Sequence, residues 1–323
     1  MTKIGISLHV YNEVSRIQRS VGSLIDQKCD FFCVISDNLS TDGTFELIEE
    51  QIKNDPRFLL IRQKSHVNQM LNFRSCVEIL LNFLSESDYL MHFAADDHLL
   101  ETSYLSRLQT VITSDPSINV LAPALKLVNA QSNAMKAVDL ANKSEINILR
   151  VLKLGLSKSD SGKFNFVSAL MSKTAFQIWY DTYCKSSDFE NQDIASRAIR
   201  SEFVAMFRLV NSFPIHGCKD VTYVKEIHNR DGLVSRVNPD VNHKFEDSKF
   251  QLLIHQLRSF AIPLRARFIA GKALTKGENR RFVLFGLLYF CNHTFYLVIY
   301  FLTTRRLILN SKLKFLSRGM QKH

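Results

Sequence analysis

The sequence predicts an α/β fold: a doubly wound, mostly parallel sheet flanked by helices, followed by a helical, basic and apolar C-terminal region. Three observations predict it. Over the first 125 residues, short apolar runs alternate with segments of helical spacing. The run "FFCVIS" (31–36) is apolar on both faces, as in a parallel sheet covered on both sides. From about residue 245 the chain turns basic, and it carries the 21-residue apolar stretch "FVLFGLLYFCNHTFYLVIYFL" (282–302).

In order, "KIGISLHV" (3–10) reads as a strand, and 13–27 as a helix through Val14, Ile17, Val21, Leu24 and Ile25. The strand 31–36 leads to a helix at 45–54 and a strand at 57–62. A helix at 68–84, a strand at 88–94, a helix at 102–114 opened by a Thr or Ser cap, and a strand at 118–123 complete the alternation. Residues 124–165 are more polar and less regular. Beyond them, 164–179 reads as a strand running into a helix, 191–210 as a helix and 221–228 as a strand.

The 323 residues suffice for one large α/β domain with an appendage, or two domains. A 46% hydrophobic content with 24 Phe supports a large core, and 11 Gly with 6 Pro argue against disorder. The net charge of +10 calls for an anionic partner, whether a phosphorylated substrate, a membrane surface or a nucleic acid. No helix-turn-helix or RNA-binding motif is present, which leaves no nucleic acid among the expected partners. The six cysteines (29, 33, 76, 184, 218, 291) form no CxxC pair or ligand spacing, so they read as reduced core residues of a cytosolic protein. "MTKIGISLHV" has no signal-peptide pattern, so the working part is expected to face the cytosol.

In a doubly wound sheet the ligand lies beyond the carboxyl ends of the strands. Three polar clusters fall there: His9-Val10-Tyr11-Asn12, Ser36-Asp37-Asn38, and Asp96-Asp97. The last is a pair of like charges ending an apolar run. It reads either as a turn with a helix cap or as a seat for a divalent cation bound to phosphate.

Taken together, "ISLHVYNE" (6–13), "VISDNLSTDGT" (34–44) and "FAADDHLL" (93–100) resemble the family 2 glycosyltransferases, which have the GT-A nucleotide-sugar fold. The resemblance covers about residues 1–125, with looser support from "NQDIASRAI" and "VKEIHNRDG". It implies a nucleoside-diphosphate sugar donor, Mg2+ or Mn2+ as the cofactor, and inverting transfer to a glycan acceptor. On that resemblance, Asp37 accepts a hydrogen bond from the nucleotide base, with an Asx turn as the structural alternative. Tyr11 lies beside the base, or is an ordinary surface tyrosine. Asp42, in its Thr-Asp-Gly setting, reads as turn and cap chemistry, and Asn12 and Glu13 as loop and helix-start residues.

The family's acidic motif usually carries one more acid. Here Ala94 and Ala95 precede Asp96-Asp97, leaving an Ala-Asp-Asp version. The resemblance gives Asp96 the ribose and Asp97 the metal, whose remaining ligands come from the diphosphate and water. "ENQDIASRA" offers Asp193 as the general base, with Gln192 where Glu is usual and Arg197 at a matching downstream position. Asp188 and Glu190 are rival bases. In "VKEIHNRDG", His228 is placed to complete the metal's coordination, and Lys225 or Arg230 to clamp phosphates. Asn72 and Arg74 read as helix-surface groups.

The stretch 282–302 is long enough to cross a bilayer, at ~1.5 Å per residue, but holds Asn292 and His293 at its middle. Arg280-Arg281 precede it and Arg305-Arg306 follow, so flanking charge gives no direction. With the basic tail of interleaved apolar residues beyond, a hairpin or in-plane membrane element is favoured over a clean span, with a buried helix of the soluble domain as the alternative. The resulting organisation is a catalytic domain at 1–240 (a nucleotide-sugar half at 1–125, an acceptor half at 126–240) and a membrane-associated region at 241–323. The expected function is sugar transfer to a lipid-linked acceptor in surface-polysaccharide assembly, at the cytoplasmic face of the cell membrane. A non-catalytic nucleotide-sugar-binding or membrane scaffold of the same fold is the alternative.

Overall fold

The computed structural model describes residues 2–129, 135–138, 168–186, 204–227, 270, 273–284 and 286–287. The first half alternates as the periodicity predicts: β1 (Ile4–Val10), α1 (Val14–Ile25), β2 (Phe32–Asp37), α2 (Thr44–Gln51), β3 (Phe58–Arg62), α3 (Gln69–Phe83) and β4 (Tyr89–His92). A short β5 (His98–Leu99) precedes α4 (Tyr104–Ser114). Then come β6 (Val120–Asn129), β7 (Met135–Val138), β8 (Leu170–Ser172), α5 (Lys173–Ser186) and β9 (Ile215–Ile227). Residues 204–212 and 276–284 are also helical.

The sheet runs β3-β2-β1-β4-β8-β6-β9-β5, with β7 paired to β6. Its first four strands are parallel, with Val10 opposite Asp37 and Asp37 opposite Arg62. Beyond β4 the sheet is mixed. β8 is antiparallel to both β4 and β6, β9 is parallel to β6, and β5 is antiparallel to β9. The mostly parallel character expected of the sheet is continuous across β3-β2-β1-β4 and returns in the β6–β9 pair. An apolar run encodes burial but not direction, and direction in the second half follows from how the long connections return.

Helices cover both faces. On one, Ile4, Ile6, Leu8 and Val10 of β1 meet Ile17, Val21 and Leu24 of α1, Ile48 of α2 and Leu105, Leu108 and Ile112 of α4. On the other, Val34, Leu90 and Val120 meet Phe73, Cys76, Val77 and Leu80 of α3 and Phe176, Trp179 and Tyr183 of α5. Each residue of this size contributes ~1.5–3 kcal/mol when fully buried. The approach of α3 explains Gly5: a Cβ there would stand 2.5 Å from Leu84 Cδ1 and 3.2 Å from Leu80 Cδ2. Cys33 and Cys76 are buried in the core as thiols.

Residues 273–284 of the basic region pack on the helix at 204–212. Phe282 is buried with its ring 5.1 Å from that of Phe207, and Arg208 Nη1 donates to the Ala273 carbonyl at 3.2 Å and its Nε lies 3.6 Å from Glu278. Leu284 and Leu287 are exposed. Among the described residues, no helix is long and apolar enough to cross a membrane. Most of 282–302 lies outside them.

Candidate active site

Because β1, β2, β3 and β4 are parallel, their carboxyl ends share one rim, and the loops leaving them build the site. The first two loops are stitched together. Asn12 N donates to Ser40 Oγ at 2.9 Å, and Thr41 N donates back to Asn12 Oδ1 at 2.9 Å. Both loops use the left-handed region: Asn12 has φ 54° and Leu39 has φ 57°. For a leucine this conformation is strained, and such strain persists only where the surroundings impose it. The hydrogen bonds on either side of Leu39 do so.

Asp42 is the turn and cap residue that its setting suggests. Its carboxylate accepts from Val14 N and Thr44 N, each at 3.1 Å, tying the starts of α1 and α2. Gly43 takes φ 92° between them, which favours glycine.

Asp37 lies at the end of β2 and is fully buried. Its Oδ2 accepts the Ser40 amide at 3.0 Å and lies 3.7 Å from Arg62 Nε. Its Oδ1 is buried with no partner. The Asx-type turn and an open acceptor therefore coexist in one carboxylate. Arg62 is itself fixed, donating to the Ser40 carbonyl at 3.1 Å with its guanidinium 4.5 Å from the Phe45 ring centre.

Tyr11 is exposed, its ring 4.6 Å from that of His66 in the loop after β3. Asn38 anchors that loop by a double hydrogen bond to Val67, donating to its carbonyl at 2.7 Å and accepting its amide at 2.9 Å. His66 is thus a rim residue that the sequence reading missed. No motif marks it, because its position depends on the Asn38–Val67 pairing.

Two other polar residues turn inward. His9 stacks on His92 at 5.0 Å between centroids, and burial lowers the His9 pKa to about 4. Asn72 is buried, not a surface group as its helix suggested. It accepts from Ser36 Oγ at 2.6 Å and donates to the Ser36 and Val10 carbonyls at 3.0 and 3.3 Å, joining α3 to the ends of β1 and β2. Arg74 is a surface group, paired with Glu78.

The acidic pair follows β4. Asp96 is half-buried, while Asp97 is 1% exposed. Burial, and then the Asp96 charge, push the Asp97 carboxyl up to about 7, against the opposing effects of Lys225 and a hydrogen bond from Tyr223. Lys225, two residues beyond Tyr223 on β9, thus acts electrostatically on Asp97. Among the described residues, no group of three His, Cys, Asp or Glu is placed to hold a metal ion. Two adjacent carboxylates, one half-exposed, fit Mg2+ or Mn2+ only as partial ligands, completed by substrate phosphates and water. Asp193, Arg197 and His228, together with Asp188, Glu190 and Arg230, lie outside the described residues.

Residues 6–126, which hold Tyr11, Asp37, His66 and the acidic pair, match the model of glycosyl transferase family 2. The match spans well under half of the chain. A curated relative, abequosyltransferase RfbV of Salmonella typhimurium, is 28% identical over 181 residues, 53% of this chain and 52% of the relative. The chain thus aligns with about half the length of that relative. Among solved structures, S. aureus TarS 1-349 in complex with UDP-GlcNAc superposes with a TM-score of 0.53 at 13% identity, over 87% of this chain and 70% of that one. TarS 1-349 alone gives 0.55 at 12% identity, over 88% and 71%. At such identities the likeness is one of fold, and it places the family 2 segment in a GT-A-type sheet.

Proposed function

We propose that the chain is an inverting, metal-dependent glycosyltransferase that moves a sugar from a nucleoside-diphosphate donor to a glycan acceptor. The observation that carries this reading is the convergence on one rim of Tyr11, His66, Asp37 and the acidic pair. Asp37 Oδ1 is a buried carboxylate oxygen lacking a donor, which is costly unless a ligand N–H supplies one. An imide N–H of a pyrimidine base meets that need, and the Tyr11 and His66 rings offer it a stacking edge. The solved neighbour TarS was crystallised with UDP and with UDP-GlcNAc, which supports a nucleotide-sugar donor here.

In this reading the half-exposed Asp96 faces the cation, and buried Asp97 holds the loop that carries it. That assignment moves the metal from Asp97, where the resemblance put it, to Asp96, and gives Asp97 a supporting role in place of a ligand's. Asp96 would hold Mg2+ or Mn2+ as a partial ligand, and the bound cation would supply positive charge toward the departing diphosphate. Lys225 adds positive charge beside it. Asp193 accepts the acceptor hydroxyl's proton as the new C–O bond forms on the anomeric carbon and the bond to the diphosphate breaks. Arg197 contributes to substrate binding, and His228 is the further metal ligand that the sequence offers. The acceptor is lipid-linked, in surface-polysaccharide assembly, and the basic, apolar region from 241 holds the enzyme on the cytoplasmic face of the membrane.

Purified full-length chain with Mn2+ and a panel of nucleoside-diphosphate sugars tests this. One donor class should raise the melting temperature and release nucleoside diphosphate. A folded protein that responds to none of the panel contradicts the reading.

A further inference from the structure

We infer that the Tyr223 hydroxyl is a positioning group of the acidic loop, holding Asp97 and with it the carboxylate of Asp96 that faces the cation. The inference rests on the metal-dependent reading above. Tyr223 belongs to β9, where it lies across from Leu99 of β5. Its ring is fully buried against Phe93, 5.6 Å away and edge-on, and Tyr104, 6.4 Å away. The hydroxyl ends between two groups of the loop. It donates to Asp97 Oδ2 at 2.9 Å and accepts from Ala94 N at 3.5 Å. Both capacities of the phenol are used, one on each end of the Ala94–Asp97 turn.

The same turn is also tied to α1. Asp97 N donates to the Ala94 carbonyl at 3.1 Å, and Ser20 Oγ donates to that carbonyl at 3.4 Å. Leu99 N donates to Ser23 Oγ at 3.1 Å. The loop is therefore clamped between α1, in the first half of the chain, and β9, in the second. A hydrogen bond from a neutral hydroxyl to a carboxylate is charge-assisted and directional. It fixes the buried carboxylate and so the peptide plane next to Asp96. Phenylalanine would fill the same apolar space, so the hydroxyl's contribution separates from the ring's.

Groups hydrogen-bonded to a metal ligand change metal affinity by about 10–100-fold when lost. Tyr223, which acts on Asp96 through its neighbour Asp97, falls at the low end of that range. The test is Tyr223→Phe in the full-length chain, with two readouts beside melting temperature. In metal-free protein, amide hydrogen exchange at 94–98 should quicken by about tenfold or more while amides of β1 and β2 stay as in wild type. In calorimetry, uptake of Mn2+ in the presence of uridine diphosphate should weaken by about tenfold. Unchanged loop exchange and unchanged Mn2+ uptake overturn the inference alone. A variant without a cooperative melt also overturns it, since the hydroxyl is then a folding element of the sheet. Wild-type protein that takes up no Mn2+ with uridine diphosphate overturns the metal-dependent reading, and the inference with it.

Discussion

Asp37 Oδ2 accepts the Ser40 amide at 3.0 Å, which leaves the other oxygen of the same buried carboxylate without a donor. The turn therefore orients the side chain, and a ligand is left to complete it. Asp37→Asn keeps the shape and offers an amide in place of a charged acceptor. Loss of a hydrogen bond to a charged group costs about 1.5–3 kcal/mol, or about 10–100-fold in affinity. The donor KM, or the nucleoside diphosphate Kd by calorimetry, should rise by that factor while the melting temperature stays near wild type. An unchanged affinity removes Asp37 from the base site.

Most of the first half was legible because its helices and strands are amphipathic or apolar over lengths that periodicity can resolve. The rim was legible too, since parallel strands must end on one side. Other parts were not. β5 has two residues, too few for any period, and the antiparallel entry of β8 depends on how a long connection returns. Tyr223 meets Asp97 across 126 residues of sequence, and no local pattern announces such a contact. Asn72 carried a signal that was passed over. It stands four residues before Cys76 and eight before Leu80, on the buried face of α3.

That buried Asn72 carries a stability prediction. Asn72→Ala removes the acceptor of the Ser36 hydroxyl and a donor to the Ser36 carbonyl in the interior, while the Val10 carbonyl keeps the Asn38 amide. An unsatisfied buried polar group costs about 1–3 kcal/mol, so urea unfolding should show a loss of at least that size. A change below about 0.5 kcal/mol, the usual scale for surface substitutions, means that Asn72 is not a strut.

Asp88 gives the fold an acid-sensitive anchor. Burial alone raises its pKa, but hydrogen bonds from Lys3 N, Ser85 Oγ and Ser85 N outweigh this and hold it below the usual carboxylate range. A depressed carboxylate stabilises the fold above its unfolded pKa of about 3.9, and that contribution is lost as pH falls through the folded value. Asp88→Asn should therefore cost about 1–3 kcal/mol at neutral pH. In urea unfolding the gap from wild type should narrow well below pH ~3.9. A gap equal at both pH values contradicts the anchor.

The packing of Phe282 on Phe207 fixes where a tail truncation is informative. A cut after Leu287 keeps that contact and removes most of the apolar stretch. Full-length chain should float with anionic phospholipid vesicles even at high salt, because apolar burial survives screening, and the truncated chain should stay in solution. Equal partitioning of the two places membrane binding elsewhere.

Release of nucleoside diphosphate from a donor sugar, measured side by side for wild type and Asp96→Asn with Mn2+, tests the central claim most directly. The expected result is divalent-dependent release by the wild type and a loss of about 100-fold or more in the variant, with its melting temperature unchanged. Undiminished release by Asp96→Asn, or none from any donor by folded wild type, contradicts a metal-assisted nucleotide-sugar site on this rim.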